Sequence, residues 1–181
     1  AHKFYGPKGV GMLYARLGVR LLPQLQAGSQ ECGKRAGTEN VAGIVGATTA
    51  LRLAYEDLPE VQPRLQNLRD RLVTGVLAIP GSELSGHPTE RLPNNASFVF
   101  EGIEGESILL NLDLLGFAAS TGSACTSGSV DPSHVLLAMG FPNEQAHGSL
   151  RLTLGRENTE ADVEALLAAL PGILEKLREY K

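Results

Sequence analysis

Tryptophan is absent from this 181-residue chain, and aromatic residues make up only 5% of it. So few rings leave no platform on which single-stranded bases could stack. Positive charge is not in excess either: 16 Lys+Arg stand against 20 Asp+Glu, a net charge of −4. Binding along a phosphate backbone needs a basic face, so nucleic acid is excluded as a partner. No apolar run approaches the ~18–20 residues of a membrane span, and no secretory signal pattern is present. Cys32 and Cys125 are too few for a disulfide framework. Together with His2, His87, His134 and His147 they offer no metal-ligand spacing, so no metal site is expected. These absences lead to the expectation of a soluble, cytoplasmic protein whose core comes from the 43% of residues that are hydrophobic. The opening Ala-His-Lys-Phe-Tyr-Gly, without Met, reads as the middle of a longer polypeptide.

The pattern along the chain alternates between strand-like and helical spacing. Gly9 to Ala15 is a short apolar run after a Gly/Pro/Lys turn and is expected to be a buried strand. Pro23 to Gly37 is irregular. From Thr38, the spacing of Val41, Ile44, Val45, Thr48, Leu51, Tyr55 and Leu58 predicts a helix with one apolar face, ended by Pro59. A second helix is predicted through Val61, Leu65, Leu68, Leu72 and Val76, stopped by Pro80-Gly81, with a domain boundary near residue 58. Ala96–Phe100 and Ser149–Leu154 read as strands. Glu106–Leu115, Pro132–Met139 and a segment after Thr159 read as helices, the last kinked or restarted at Pro171-Gly172. Thr159 with Asp162 has the spacing of a capping pair. The class is α/β or α+β.

Several residues carry chemistry. Lys3 lies in a glycine-rich turn before the expected strand, where desolvation would favour a nucleophilic amine able to form a Schiff base; an ordinary turn lysine is the alternative. Cys125 lies within Ser120–Ser129, a stretch of small and polar residues that cannot pack a core. A thiol there suits collecting a group in one place and delivering it in another, whereas an inert buried Cys is the plainer possibility. Arg151, on a strand among apolar neighbours, suits a carboxylate partner or a structural ion pair, and Arg156 follows it. Gly28-Ser29 and Arg35-Ala36-Gly37-Thr38 form a polar loop before a helix N-terminus, fit for a phosphate or for simple capping.

The order of four motifs is more specific than any one of them. His2-Lys3-x-Tyr5-Gly6-Pro7-Lys8-Gly9-x-Gly11, Gln30-Glu31-x-Gly33-x-Arg35-x-Gly37-Thr38-Glu39-Asn40, Ser123-Ala124-Cys125-Thr126-Ser127 and Arg151-x-Thr153-x-Gly155-Arg156 together resemble the cysteine desulfurases of the NifS/IscS type. The resemblance runs from Ala1 to the C-terminus. It implies an α/β, aspartate aminotransferase-like pyridoxal-phosphate fold, with residues 1–57 ending the large cofactor domain and 58–181 forming the small domain. It further implies that Lys3 holds pyridoxal 5'-phosphate covalently, that His2 contacts its phosphate, and that Thr38 reaches the phosphate of a neighbouring subunit in a homodimer. Arg151 would hold the carboxylate of L-cysteine. Cys125, on a mobile loop at 120–129, would take the sulfur as a persulfide for an iron–sulfur scaffold or other acceptor.

Two departures qualify that expectation. The family's glycine-rich run before Gln-Glu appears as Ala27-Gly28-Ser29, and Cys32 stands where no thiol is expected. The family's ring-stacking His, its Asp for the pyridine nitrogen and further phosphate ligands lie upstream of the lysine, so this stretch alone is expected to have little activity. The alternatives are a selenocysteine lyase or another fold-type I pyridoxal-phosphate enzyme, and a non-catalytic scaffold-binding module.

Overall fold

The computed structural model describes residues 1–122 and 132–179. The chain divides into two compact units, Ala1–Pro59 and Glu60–Lys181.

In the first unit, His2–Phe4 forms a 3-10 turn and Gln30–Gly33 a single short turn, α1. The long helix α2, Val41–Leu77, begins here. Gly9–Ala15 is neither strand nor buried: Met12, Leu13 and Tyr14 are exposed. A strand exists only through its ladder partner, and this unit contains no sheet for the run to join. Nor is the predicted face of α2 the buried one. Val41, Ile44, Val45, Tyr55 and Leu58 are exposed, whereas Gly43 and Ala47 are buried. The covered side is the one with small residues. A Cβ at Gly46 would come 3.1 Å from the Pro7 ring, and one at Gly6 would come 3.3 Å from Ala50 Cβ. The chain after Lys3 thus packs directly onto the helix.

Pro59 does not end that helix; α2 continues through Pro59 and Pro63 to Leu77 as one element. Proline removes one ladder hydrogen bond, a loss that burial further along the same helix can outweigh. Leu65, Leu68, Leu72 and Val76, beyond the two prolines, are all buried in the core.

The second unit is built on an antiparallel sheet in the order β1 (Ser82–Leu84), β2 (Asn95–Phe100), β3 (Ser149–Thr153). Alternation sorts each strand into two faces. Ala96, Phe98 and Phe100 with Leu150 and Leu152 join α2, α3 (Gly105–Leu114) and α6 (Glu160–Glu179) in the main core. Val99 faces the other way, against Leu136 of α4 (His134–Ala138) and Ala146 of α5 (Asn143–His147). Helix α6 runs unbroken through Pro171. At its start the Thr159 N–H donates to Asp162 Oδ2 at 2.8 Å, and the Asp162 N–H donates to Thr159 Oγ1 at 3.3 Å. The two residues cap the helix reciprocally. Among the described residues no helix is long and apolar enough to cross a membrane.

Candidate active site

Register decides what β3 presents. Leu150 and Leu152 point into the core, so Ser149, Arg151 and Thr153 share the opposite face. Arg151 pairs with Ser97 on β2, and on its other side forms an isolated antiparallel bridge with Ser120. The Arg151 N–H donates to the Ser120 carbonyl at 2.6 Å, and the Ser120 N–H donates back at 3.2 Å. Among the described residues the half-buried guanidinium meets neutral acceptors there, the Gly122 carbonyl at 3.5 Å and Ser120 Oγ at 3.4 Å. Among the described residues Arg151 makes no ion pair. A guanidinium held by neutral groups at the long end of hydrogen-bond range keeps its capacity for an anion.

Residues 120–122 lead directly into the stretch that contains Cys125, which lies outside the described residues together with the rest of 123–131. The structure therefore brings Arg151 against the stem of that stretch. The exit of β3 is fixed from several sides. The Leu154 N–H donates to the Asn94 carbonyl at 2.8 Å, and Asn94 Nδ2 donates to the Leu154 carbonyl at 3.1 Å. The Arg64 guanidinium donates to the carbonyls of Arg156 and Asn158. Arg156 pairs with Glu157 at 3.2 Å on the surface.

Lys3, His2 and Thr38 belong to the first unit. Lys3 is exposed on the 3-10 turn, not desolvated at the edge of a buried strand, because the strand expected beside it does not form. The turn closes through the N–H groups of Phe4 and Gly6, which donate to the Ala1 carbonyl at 3.1 and 3.0 Å, with Tyr5 left-handed at φ 66°. Neither His2 nor Lys3 makes an ion pair among the described residues.

Thr38 precedes the cap of α2 rather than being it. Asn40 fills the capping position, its Oδ1 accepting the Gly43 N–H at 3.0 Å. Gln30 organises the loop ahead of Thr38: its Oε1 accepts the Gly37 N–H at 3.2 Å, and its side chain occupies the space that a Cβ on Gly28 would need. Gly37 has φ 110°, a conformation open to glycine at little cost. Glu31 and Cys32 are both left-handed, at φ 51° and 55°. Two such non-glycine residues in succession store about 1–2 kcal/mol each. Gln30 and Asn40 stand in a motif quoted above, but nothing in it marked Gln30 as the loop's organiser or Asn40 as the cap; nor does anything in the sequence pair Gly122, Ser133 and Ser149, which meet over β3.

Comparison with known proteins supplies the wider frame. Residues 1–166 match the family model described as "Aminotransferase class-V". The chain is 56% identical over 182 aligned positions to a protein named cysteine desulfurase IscS from Clostridium botulinum, covering 99% of this chain and 46% of that protein. It is also 56% identical to the cysteine desulfurase IscS of Methanosarcina thermophila, covering 98% of this chain and 44% of that one. Among solved structures, a NifS-like protein superposes with a TM-score of 0.85 at 39% identity, over 97% of this chain and 45% of the other. The chain thus spans about half the length of the curated relatives it matches, and the fold is that of these NifS-like enzymes.

Proposed function

Because the chain belongs to the aminotransferase class-V family, we propose that it is the C-terminal part of a pyridoxal-phosphate-dependent cysteine desulfurase. Such an enzyme converts L-cysteine to L-alanine and holds the sulfur as a persulfide on Cys125. The observation that carries this reading is the placement of Arg151 against Ser120 and Gly122. It joins a guanidinium without an ion partner among the described residues to the stem of the only stretch with a cysteine in that unit. A transaminase has use for the first feature and none for the second.

The donor set fits the cofactor in kind. The exposed amine of Lys3, which makes no ion pair among the described residues, suits its carbonyl. His2 on the same turn and Thr38, beside the conformationally open Gly37, suit its phosphate. In this reading residues 1–57 complete the large cofactor domain and 58–181 form the small one. Thr38 would serve the neighbouring subunit of a homodimer.

Arg151 binds and orients the substrate carboxylate through its planar fork. Lys3 Nζ moves the proton at the substrate Cα. When bound, the cofactor would supply an electron sink for negative charge developing on the substrate. The Cys125 thiolate attacks the substrate Sγ; the S–S bond forms as the Cβ–Sγ bond breaks, and Cβ takes a proton to leave alanine. The sulfur then passes to an acceptor, such as an iron–sulfur scaffold, in the cytoplasm.

Borohydride reduction of the full-length protein with pyridoxal phosphate, followed by peptide mass spectrometry, tests the assignment. The expected result is a pyridoxyl group on Lys3, and after exposure to L-cysteine a sulfur mass increment on Cys125 with alanine released. An adduct confined to another lysine overturns the role of Lys3. Alanine formation by a Cys125→Ala variant overturns the desulfurase reading.

A further inference from the structure

The face of β3 turned away from the core carries Ser149 two residues before Arg151, and the reaction described above leaves Ser149 unused. Ser149 is buried, and its hydroxyl oxygen accepts the Gly122 N–H at 3.2 Å. A Cβ placed on Gly122 would stand 2.9 Å from Ser133 Cβ and 3.2 Å from the hydroxyl oxygens of both Ser133 and Ser149. Ser133 is buried as well, so it has little room to give way. Residues flanking 123–131 on either side therefore close over one serine of β3, and the closure admits only glycine at 122.

This junction bears directly on Arg151. Among the described residues its guanidinium meets the Gly122 carbonyl and Ser120, two residues earlier. Both acceptors are neutral, so an arriving carboxylate displaces them without breaking an ion pair among the described residues. What they supply is direction. We propose that Gly122, Ser133 and Ser149 are positioning residues whose close-packed junction sets where Arg151 presents its guanidinium to the substrate carboxylate. The proposal rests on the reading of Arg151 as the carboxylate-binding residue.

The test uses the full-length, cofactor-loaded protein, with L-alanine as a carboxylate-bearing probe measured by calorimetry and L-cysteine turnover measured alongside. Gly122→Ala is expected to weaken L-alanine binding and raise KM for L-cysteine about tenfold, with kcat changing less than about threefold. Adding Ser133→Gly removes the atom that the new methyl group meets, and is expected to restore both values to within about twofold. Ser149→Ala, which removes the acceptor without adding bulk, is expected to weaken L-alanine about threefold and decides the matter if Gly122→Ala does not fold. Arg151→Lys is the control. Normal L-alanine binding by Gly122→Ala and Ser149→Ala, or a Gly122→Ala defect that Ser133→Gly fails to relieve, overturns the junction while a defect in Arg151→Lys leaves the carboxylate role intact. Normal binding by Arg151→Lys overturns both. The expected binding pattern without alanine production supports the junction and faults only the desulfurase reaction.

Discussion

Large apolar side chains meet opposite fates in the two units. Glu60–Lys181 buries Leu72, Val76, Phe98, Phe100, Ile108, Leu112, Leu150, Leu170 and Leu174 almost completely, on three helices against one face of a sheet. Ala1–Pro59 leaves Met12, Leu13, Tyr14, Leu17, Leu22 and Tyr55 exposed and buries mainly small residues such as Ala36 and Ala47. The same kind of apolar periodicity runs through both halves of α2, yet only the second half meets side chains that complete a core. An amphipathic pattern records that a face is meant to be covered; it does not say that the cover lies within the same segment.

The sharpest way to break this comparison is chemical, since Lys3 lies in one unit and Cys125 in the other. Lys3→Ala should lose both the borohydride-trapped pyridoxyl group and alanine formation. Cys125→Ala should keep the pyridoxyl group and lose alanine formation by about 10³-fold or more, read by mass spectrometry and amino-acid analysis. The next contrast is in stability. Leu72→Ala, in the centre of the second unit's core, is expected to cost about 3–5 kcal/mol in urea denaturation. Thr159→Ala should cost less, about 1 kcal/mol, by removing one half of the α6 cap.

The same cap gives a pH signature. The Thr159 N–H, with help from Asn158 and the Thr159 hydroxyl, holds the Asp162 carboxyl below its ordinary value of 3.8. A carboxyl depressed in the folded state stabilises above its unfolded pKa, and that contribution is lost as pH falls through the folded one. Asp162→Asn should therefore flatten the part of the stability curve below about pH 4, with no change near neutrality in the slope. The smallest effect belongs to the first unit: Leu17→Ala, at a side chain exposed at 101%, should alter unfolding by no more than about 0.5 kcal/mol.

Much of the second unit was legible in advance. β2, β3, α3 and α6 lie where period-two alternation, period-3.6 spacing and the Thr159–Asp162 pair put them, because each pattern there is matched by its own local partners. β1 and α5 were not read from the sequence. The Gly9–Ala15 strand and the stop at Pro59 were misread for a related reason: a strand needs a neighbour, and the one hydrogen bond a proline removes can be outweighed by burial elsewhere along the helix. The proposed site residues Lys3, His2, Thr38, Arg151 and Cys125 rest on their motifs. Asn40 as the cap and the meeting of Gly122 with Ser133 and Ser149 could not be found that way, since a motif records order along the chain and not which backbones touch.

By itself, then, the sequence determined the family, the residue types available for chemistry, and which strand residues turn to the core. Those properties are linear: they follow from composition, from spacing and from the alternation of side chains along a strand. Only the tertiary structure decided that α2 runs on through two prolines, that Arg151 meets Ser120 and Gly122, and that a glycine at 122 is sterically required. Each of these depends on contacts between residues distant in sequence, whose energies come from close packing that no local pattern encodes.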